Sequence, residues 1–546
     1  MAGGRFLSFF LFAFLSVSLS QAQDKYAVHF KYKSQKDFSI SNPEAYLSSR
    51  ALERRNRHEV SIDSLDLPVA TQHILGIQPL VEKFFFHSSW LNASVILAKR
   101  DDIERIRALP FVEKVVYLAP GPSSSSQRRT GVQDKFEEVQ DLAVSNKNTG
   151  MPFDVQNQML GIPEMHQEGF KGKGITIAVL DGGFPGVNQL SQFSHLFTNN
   201  QLLGTRNFVD PSSDVFRSSQ HGTNVLSLMA VNDPQLLVAA APESNYILCL
   251  TEEVPSEYRI EEYNWAKAAE YADSLGVDII NSSLGYWDFD DVSMNYRLQD
   301  LDGKTAVISI VASIAAQKGI LVVTSAGNYG SRGASSITAP ADAKGILAIG
   351  SVNALSVPSS FSSQGPTADG RIKPELTARG EQTVLLRSNG VASASNGTSF
   401  SSPQVAALAA GIWQANPDWK VEKLISRLLD SGSRSSNPDN SMGYGIPNFK
   451  KAHLGVVLSI PKTEEFKSKV FPNPVEGDFV FLEFGDEKEI EILLFDLQGK
   501  QLMSSKLIRE DIKRPFTFEV QGLTKGVYLL EVQSQGKILR TKLLKK

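Results

Sequence analysis

Cysteine is almost absent. Cys249 is the only one in 546 residues, so no disulfide can close within the chain. It lies in the apolar run Tyr246-Ile247-Leu248-Cys249-Leu250 and reads as a small buried hydrophobe rather than a nucleophile. Net charge is also small, −4 from 55 basic and 59 acidic residues, which gives no electrostatic reason to expect a nucleic-acid partner. Beyond residue 22 no stretch is long and apolar enough to cross a membrane as a helix. Internal repeats are lacking too.

The apolar run that does exist opens the chain. Arg5 precedes Phe6 to Leu19, broken only by serines, and Ser20-Gln21-Ala22 forms a small-x-small cleavage site. Residues 1–22 are expected to be a secretory signal peptide, too short to span a bilayer. No cysteine follows the site, so lipid attachment there is not expected. At 546 residues the rest should divide into two to four domains.

Residues 24–125 read as a small α+β unit. Strands are expected over Tyr26–Tyr32, Trp90–Lys99 and Phe111–Leu118, with a helix over Asp101–Leu109. The segment around Arg54-Arg55-Asn56-Arg57 is expected to be a solvated helix. Pro120-Gly121-Pro122, Ser123 to Ser126 and Arg128-Arg129 make a linker, either a processing site or plain exposed coil. From 151 to 455 strands and helices alternate, the mark of an α/β fold with a parallel sheet. Strands are expected at Ile175–Leu180, Tyr246–Leu250, Val277–Ile280, Ile320–Val323 and Ile346–Val352, with helices over Ile260–Leu275 and ending near Lys318. Polar groups recur just past strand C-termini, where open α/β sheets place their binding crevice. Residues 465–546 show short strands between turns and no helix, as in a small β-sandwich.

Four stretches carry chemistry. In Asn396-Gly397-Thr398-Ser399-Phe400-Ser401-Ser402-Pro403, apolar residues at Val405, Leu408, Ala409, Ile412 and Trp413 predict a helix with a buried face. Proline suits a first turn, so the helix should begin near Ser399 or Phe400. A serine there sits beside unpaired N–H groups and is either an N-cap or a nucleophile whose oxyanion is held by its own N–H. His221, in Gln220-His221-Gly222-Thr223, starts another helical pattern and alone could be a cap. Asp181, ending a buried strand before Gly182-Gly183, could cap a turn or bind a cation. Asn328, in Ser325-Ala326-Gly327-Asn328, could be a turn residue.

Together these motifs closely resemble the subtilisin-like serine peptidases, the subtilase family. The resemblance rests on Ile177-Ala178-Val179-Leu180-Asp181-Gly182-Gly183, His221-Gly222-Thr223 and Gly397-Thr398-Ser399-Phe400-Ser401-Ser402-Pro403, in the order Asp, His, Ser. It covers about 155–455 and implies a triad with Ser399 as nucleophile, His221 as base and acid, and Asp181 holding the imidazole tautomer. It makes Asn328 a side-chain oxyanion donor. Ser283, Leu284 and Gly285 become a substrate-pairing edge, with Ala326 and Gly327 walling the adjacent pocket. Thr338 near the pocket floor would favour small or medium apolar side chains. The departures are Gly182 where a hydroxyl residue is common, Asn224 for a frequent second histidine, and Gln404 for a histidine. No cofactor is implied; structural calcium is frequent in the family, but no carboxylate cluster here allows a site to be assigned.

The flanks fit this picture. Residues 24–125 resemble the inhibitory propeptide of secreted subtilases. The tail resembles the sorting domain of type IX export, through Phe471-Pro472-Asn473-Pro474, Leu523-Thr524-Lys525-Gly526-Val527-Tyr528 and Lys542 to Lys546; a carbohydrate-binding sandwich is the alternative. The partners implied are polypeptide substrates, the chain's own propeptide as inhibitor, and the outer-membrane secretion machinery. The expected protein is a secreted or cell-surface serine endopeptidase working through an acyl-enzyme. The alternatives are a catalytically restricted processing protease and a surface binding module on the same fold.

Overall fold

The computed structural model describes residues 23–33, 36–121, 153–455, 468–484, 486–496, 501–534 and 537–546. The stretches read as a signal peptide, a serine–arginine linker and the Ser459–Glu465 connection lie outside the described residues. Two compact units result, through Val457 and from Leu458.

The first unit centres on a seven-stranded, wholly parallel sheet. Its order is Leu376–Arg379, Leu347–Val352, Leu321–Ser325, Ile279–Ser282, Thr176–Asp181, Asn245–Leu250 and Leu202–Asn207. Every residue of Thr176–Asp181 is buried. Ile177 and Val179 pack against one layer of the core, Ala178 and Leu180 against the other. That two-sided burial explains a continuous apolar run rather than an alternating one. The helices Ile260–Leu275 and Val307–Gln317 cover one face; His221–Ala230 and Thr398–Ala415 cover the other. The outer strands Leu202–Asn207 and Leu376–Arg379 are not evident from the sequence pattern. Cys249 is buried in Asn245–Leu250, and burial pushes its thiol up to about 12.

The helix bearing Ser399 departs from expectation. It begins at Thr398, so Pro403 lies beyond the first turn and the backbone keeps going through it. Proline there has no N–H to give the carbonyl of Ser399. The hydroxyl of Ser283 donates to that carbonyl instead, at 2.9 Å.

Residues 23–121 fold as a four-stranded antiparallel sheet in the order Lys83–Ser88, Ala93–Lys99, Gln23–Phe30 and Val112–Pro120, with the helix Arg100–Arg107. Ala27, Val95, Leu118 and Ala119 pack against Ile260 and Tyr263. The Ser49–His58 helix is not solvated. Arg54 and Arg55 are each 2 % exposed, because Asp273 and Asp66 pair with their guanidinium groups. Charges that composition assigns to solvent are buried once partners from distant chain segments meet them.

The second unit stacks a three-stranded sheet (Ser468–Phe471, Phe479–Phe484, Phe516–Glu519) on a four-stranded one (Glu489–Phe495, Gln501–Ile508, Gly526–Ser534, Lys537–Lys545) around a single core. Asn473 clasps the last strand, its amide donating to Lys542 O at 2.6 Å and accepting from Leu544 N at 2.9 Å.

Buried histidines give the first unit a pH dependence, and His29 is one of them. His29 Nε2 lies 2.9 Å from Tyr263 Oη and Nδ1 lies 3.2 Å from Leu91 O. Burial, with Lys114 adding repulsion, lowers its pKa from 6.5 to about 4. The stability it contributes is full above its unfolded value and is lost as the pH falls through the folded one. Lowering the pH to about 5 should therefore cost this unit roughly 2 kcal/mol through His29 alone. Thermal unfolding at about pH 7.5 and 5 should show the loss, and His29→Gln should reduce it.

Candidate active site

Asp181 ends the Thr176–Asp181 strand, fully buried at 0 % exposed. Its Oδ1 accepts from Gly182 N at 2.7 Å and lies 2.8 Å from His221 Nδ1. Its Oδ2 has no hydrogen-bond partner among the described residues. A carboxylate can only accept, so Nδ1 carries the proton and Nε2 is left as the basic nitrogen. Gly222 permits the close approach: a Cβ there would stand 2.3 Å from Gly183 O and 3.0 Å from Asp181 Cβ.

His221 is the first residue of its helix, and its ring centroid lies 5.8 Å from that of Phe400. The residue after Ser399 thus abuts the imidazole. Ser399 is the second residue of the Thr398–Ala415 helix, where the backbone N–H has no intrahelical acceptor. Its hydroxyl donates to Ser283 O at 3.2 Å.

Asn328 follows the Leu321–Ser325 strand and is exposed. Its Oδ1 accepts from Thr398 N at 3.0 Å and from Thr398 Oγ1 at 2.9 Å. An N–H can only donate, so this pairing fixes the amide and leaves Nδ2 as the outward donor. Gly285 and Gly327 both face Thr338: an added Cβ would lie 2.3 Å and 2.9 Å from its Oγ1. Thr338 is itself buried, wedged between the two segments expected to hold substrate. Tyr286 N donates to Ala339 O at 2.8 Å and Thr338 N to Ala326 O at 3.2 Å, which ties both walls to one loop. The structure therefore brings Asp181, His221, Ser399, Asn328, Ser283 to Gly285 and Ala326 to Gly327 to the C-terminal edge of one sheet. Among the described residues no group of three histidine, cysteine, aspartate or glutamate side chains could hold a metal ion.

The model of the subtilase family matches residues 172–445. Subtilisin from Bacillus pumilus is 30 % identical over 53 % of this chain and 94 % of its own length. This chain is a subtilase. It belongs among the peptidases of the S8, or subtilisin, family. Subtilisin E from Bacillus subtilis strain 168 is 30 % identical over 52 % of this chain, and 66 % of its length is covered, just under two thirds. A crystal structure of MycP1 from Mycobacterium smegmatis aligns over 58 % of this chain and 89 % of its own, with a TM-score of 0.44 and 21 % identity. Flanking the subtilase core, residues 25–134 match the S8 propeptide domain of Bacteroidota and residues 469–546 a secretion-system C-terminal sorting domain. These units place the subtilase outside the cytoplasm, at the cell surface or beyond it.

Sequence reasoning missed what orients the site. Asn281 Nδ2 donates to Ser283 Oγ at 3.3 Å, and Ser402 Oγ donates to Asn281 Oδ1 at 3.0 Å. Ser283 is thus tied to the start of the Ser399 helix as well as to Asn281. Its hydroxyl supplies the donor that Pro403 withholds from Ser399. The signal was present as a proline four residues after the serine. Loss of one such hydrogen bond costs about 1 kcal/mol. Ser283→Ala should therefore lower kcat for peptide hydrolysis about 5-fold with little change in KM, and Ser283→Thr should restore it. Steady-state kinetics of the three forms checks this.

Proposed function

We propose that this subtilase is an exported serine endopeptidase acting through a covalent acyl-enzyme. The observation that carries the reading is the 2.8 Å pair of Asp181 and His221, set against the helix start that bears Ser399. In this reading Nε2 of His221 takes the Ser399 proton as Oγ attacks the scissile carbonyl, and later gives it to the departing amine. Asp181 holds the tautomer and stabilises the imidazolium. The developing oxyanion is met by the Ser399 N–H and Asn328 Nδ2. The substrate backbone lies as an added strand between Ser283–Gly285 and Ala326–Gly327.

Residues 24–125 would be the inhibitory propeptide, 151–455 the peptidase domain and 465–546 the sorting domain, which engages outer-membrane secretion machinery. A second reading, a catalytically restricted processing protease or a binding module on this fold, is favoured by one observation. Ser399 Oγ lies 3.2 Å from Ser283 O, an acceptor that competes for its one hydroxyl proton.

Covalent labelling separates the two. A serine-directed fluorophosphonate should modify Ser399 and no other residue, and Ser399→Ala should abolish both labelling and hydrolysis while leaving an uncut precursor. Label elsewhere, or normal cutting of the variant in a protease-free host, would overturn the assignment. For the tail, ending the chain near Lys462 should leave purified activity unchanged and strand the enzyme in the periplasm of a native-type host. Cell fractionation checks this; equal extracellular amounts of both forms would exclude a sorting role.

A further inference from the structure

The strands Ile279–Ser282 and Leu321–Ser325 are paired as far as Ser282 and Thr324. Beyond that point Ser283–Gly285 continues one and Ala326–Gly327 the other, and a side chain of a bound polypeptide would enter between them. Ser399 Oγ lies 3.2 Å from Ser283 O, and Asn328 ends the facing segment. The side chain that enters is therefore the one on the residue whose carbonyl is attacked. Glycines on both walls, Gly285 and Gly327, leave space there, and Thr338 fills it. A Cβ on Gly285 would stand 2.3 Å from Thr338 Oγ1 and 3.1 Å from its Cβ. One on Gly327 would stand 2.8 Å from Thr338 Cγ2 and 2.8 Å from Ser363 Oγ. The Thr338 side chain thus touches both walls, and the residue is 1 % exposed.

Thr338 is held too firmly to yield to a larger guest. Its N–H donates to Ala326 O at 3.2 Å on one wall. The next residue pairs with the other wall, Ala339 N to Tyr286 O at 3.1 Å and Tyr286 N to Ala339 O at 2.8 Å. Further along the same loop Asp342 is fully buried, its carboxylate accepting from Ser309 Oγ at 2.5 Å and Gly303 N at 2.7 Å. Arg371 donates to Asp342 O at 2.6 Å. The walls are also tied to each other. Trp287 and Tyr329, each two residues past a wall glycine, bring their ring centroids to 5.7 Å. The Arg332 guanidinium lies over both rings, 4.6 Å and 4.4 Å from the centroids, and pairs with Asp288. A site packed and bonded in this way resists an added methylene, because its groups would have to leave their rotamers or break these bonds.

We propose that this subtilase cuts after glycine, alanine or serine and excludes leucine, methionine and aromatic residues at that place, because the Thr338 side chain fills the slot between Gly285 and Gly327. This rests on the reading of Ser399 as nucleophile, and it narrows the substrates from those with small or medium apolar residues to those with the smallest. Glycine, alanine and serine end at or just past Cβ and stop short of Thr338. Longer side chains would have to displace it. A single methylene accepted or refused by a pocket changes kcat/KM by about 10- to 200-fold.

Peptide anilides that differ only in the residue before the scissile bond test this on enzyme produced from the full chain. The kcat/KM for alanine should exceed that for leucine or phenylalanine by about 100-fold or more. Thr338→Gly should raise the value for phenylalanine about 50-fold and so collapse the ratio. Thr338→Val keeps the volume and loses only a hydroxyl whose acceptor, Ala326 O, is 3.4 Å away; it should keep the original ranking. Thr338→Ser removes Cγ2 alone and should shift the ranking toward valine, which decides the matter if Thr338→Gly fails to fold. Leucine or phenylalanine equal to alanine in the unsubstituted enzyme, a ratio that survives both Thr338→Gly and Thr338→Ser, or a ranking lost in Thr338→Val overturns the proposal. A small alkyl fluorophosphonate carries no side chain for the slot and reports Ser399 separately. Label at Ser399 without discrimination among the anilides overturns the slot alone; absence of both label and hydrolysis overturns the nucleophile reading and the slot with it.

Discussion

A proline beyond the first turn of a buried helix is the constraint on which the site depends. The Thr398–Ala415 helix runs through the core with nearly every side chain buried, and Pro403 leaves the Ser399 carbonyl without its helical donor. A proline inside a helix costs about 3 kcal/mol when nothing compensates. The compensation is the Ser283 hydroxyl, steadied by Asn281 and Ser402. The same helix start is tied to Asn328 through Thr398 and to Ala378 O through Ser401, the latter at 3.1 Å. Three strand ends thereby converge on one helical turn. The position of Ser399 is set by these bonds rather than by loop conformation.

The two edges of the sheet do different electrical work. At the C-terminal edge the buried Asp181 carboxylate faces the His221 imidazole through one oxygen, which fixes which ring nitrogen carries the proton. At the N-terminal edge several full charges are buried together and neutralise one another. Such networks add little net stability relative to apolar packing, yet breaking one partner away is costly. Asp278 and Ser283 flank the same short strand, so the two settings are separated by only about 13–17 Å of extended backbone.

The C-terminal unit shows a third use of polar groups. Its core is a plain two-sheet hydrophobic interior, and its recognisable motifs lie on the rim. Asn473 of the Phe471-Pro472-Asn473-Pro474 turn binds the strand that carries the terminal lysines. Two stretches at opposite ends of the domain sequence are thus presented as one surface feature.

Much of the fold and the candidate site was legible in the chain itself. Buried parallel strands are apolar on both faces and end abruptly in polar residues, so Asp181, Ser283 and Asn328 announce themselves by where an apolar run stops. Helix Ile260–Leu275 has the bounds its periodicity predicts. Local sequence could not say where the charges of Arg54 and Arg55 would go. Their partner Asp273 lies about 220 positions away, and a guanidinium is solvated or buried according to whether a carboxylate arrives from elsewhere. Nor could it say that the helix would run through Pro403, because the hydroxyl that makes this tolerable belongs to a strand end 116 residues earlier. Chain-local physics determined which residues were poised for chemistry; only tertiary packing, by delivering or withholding a distant hydrogen-bond partner, decided which of them are buried and which way they point.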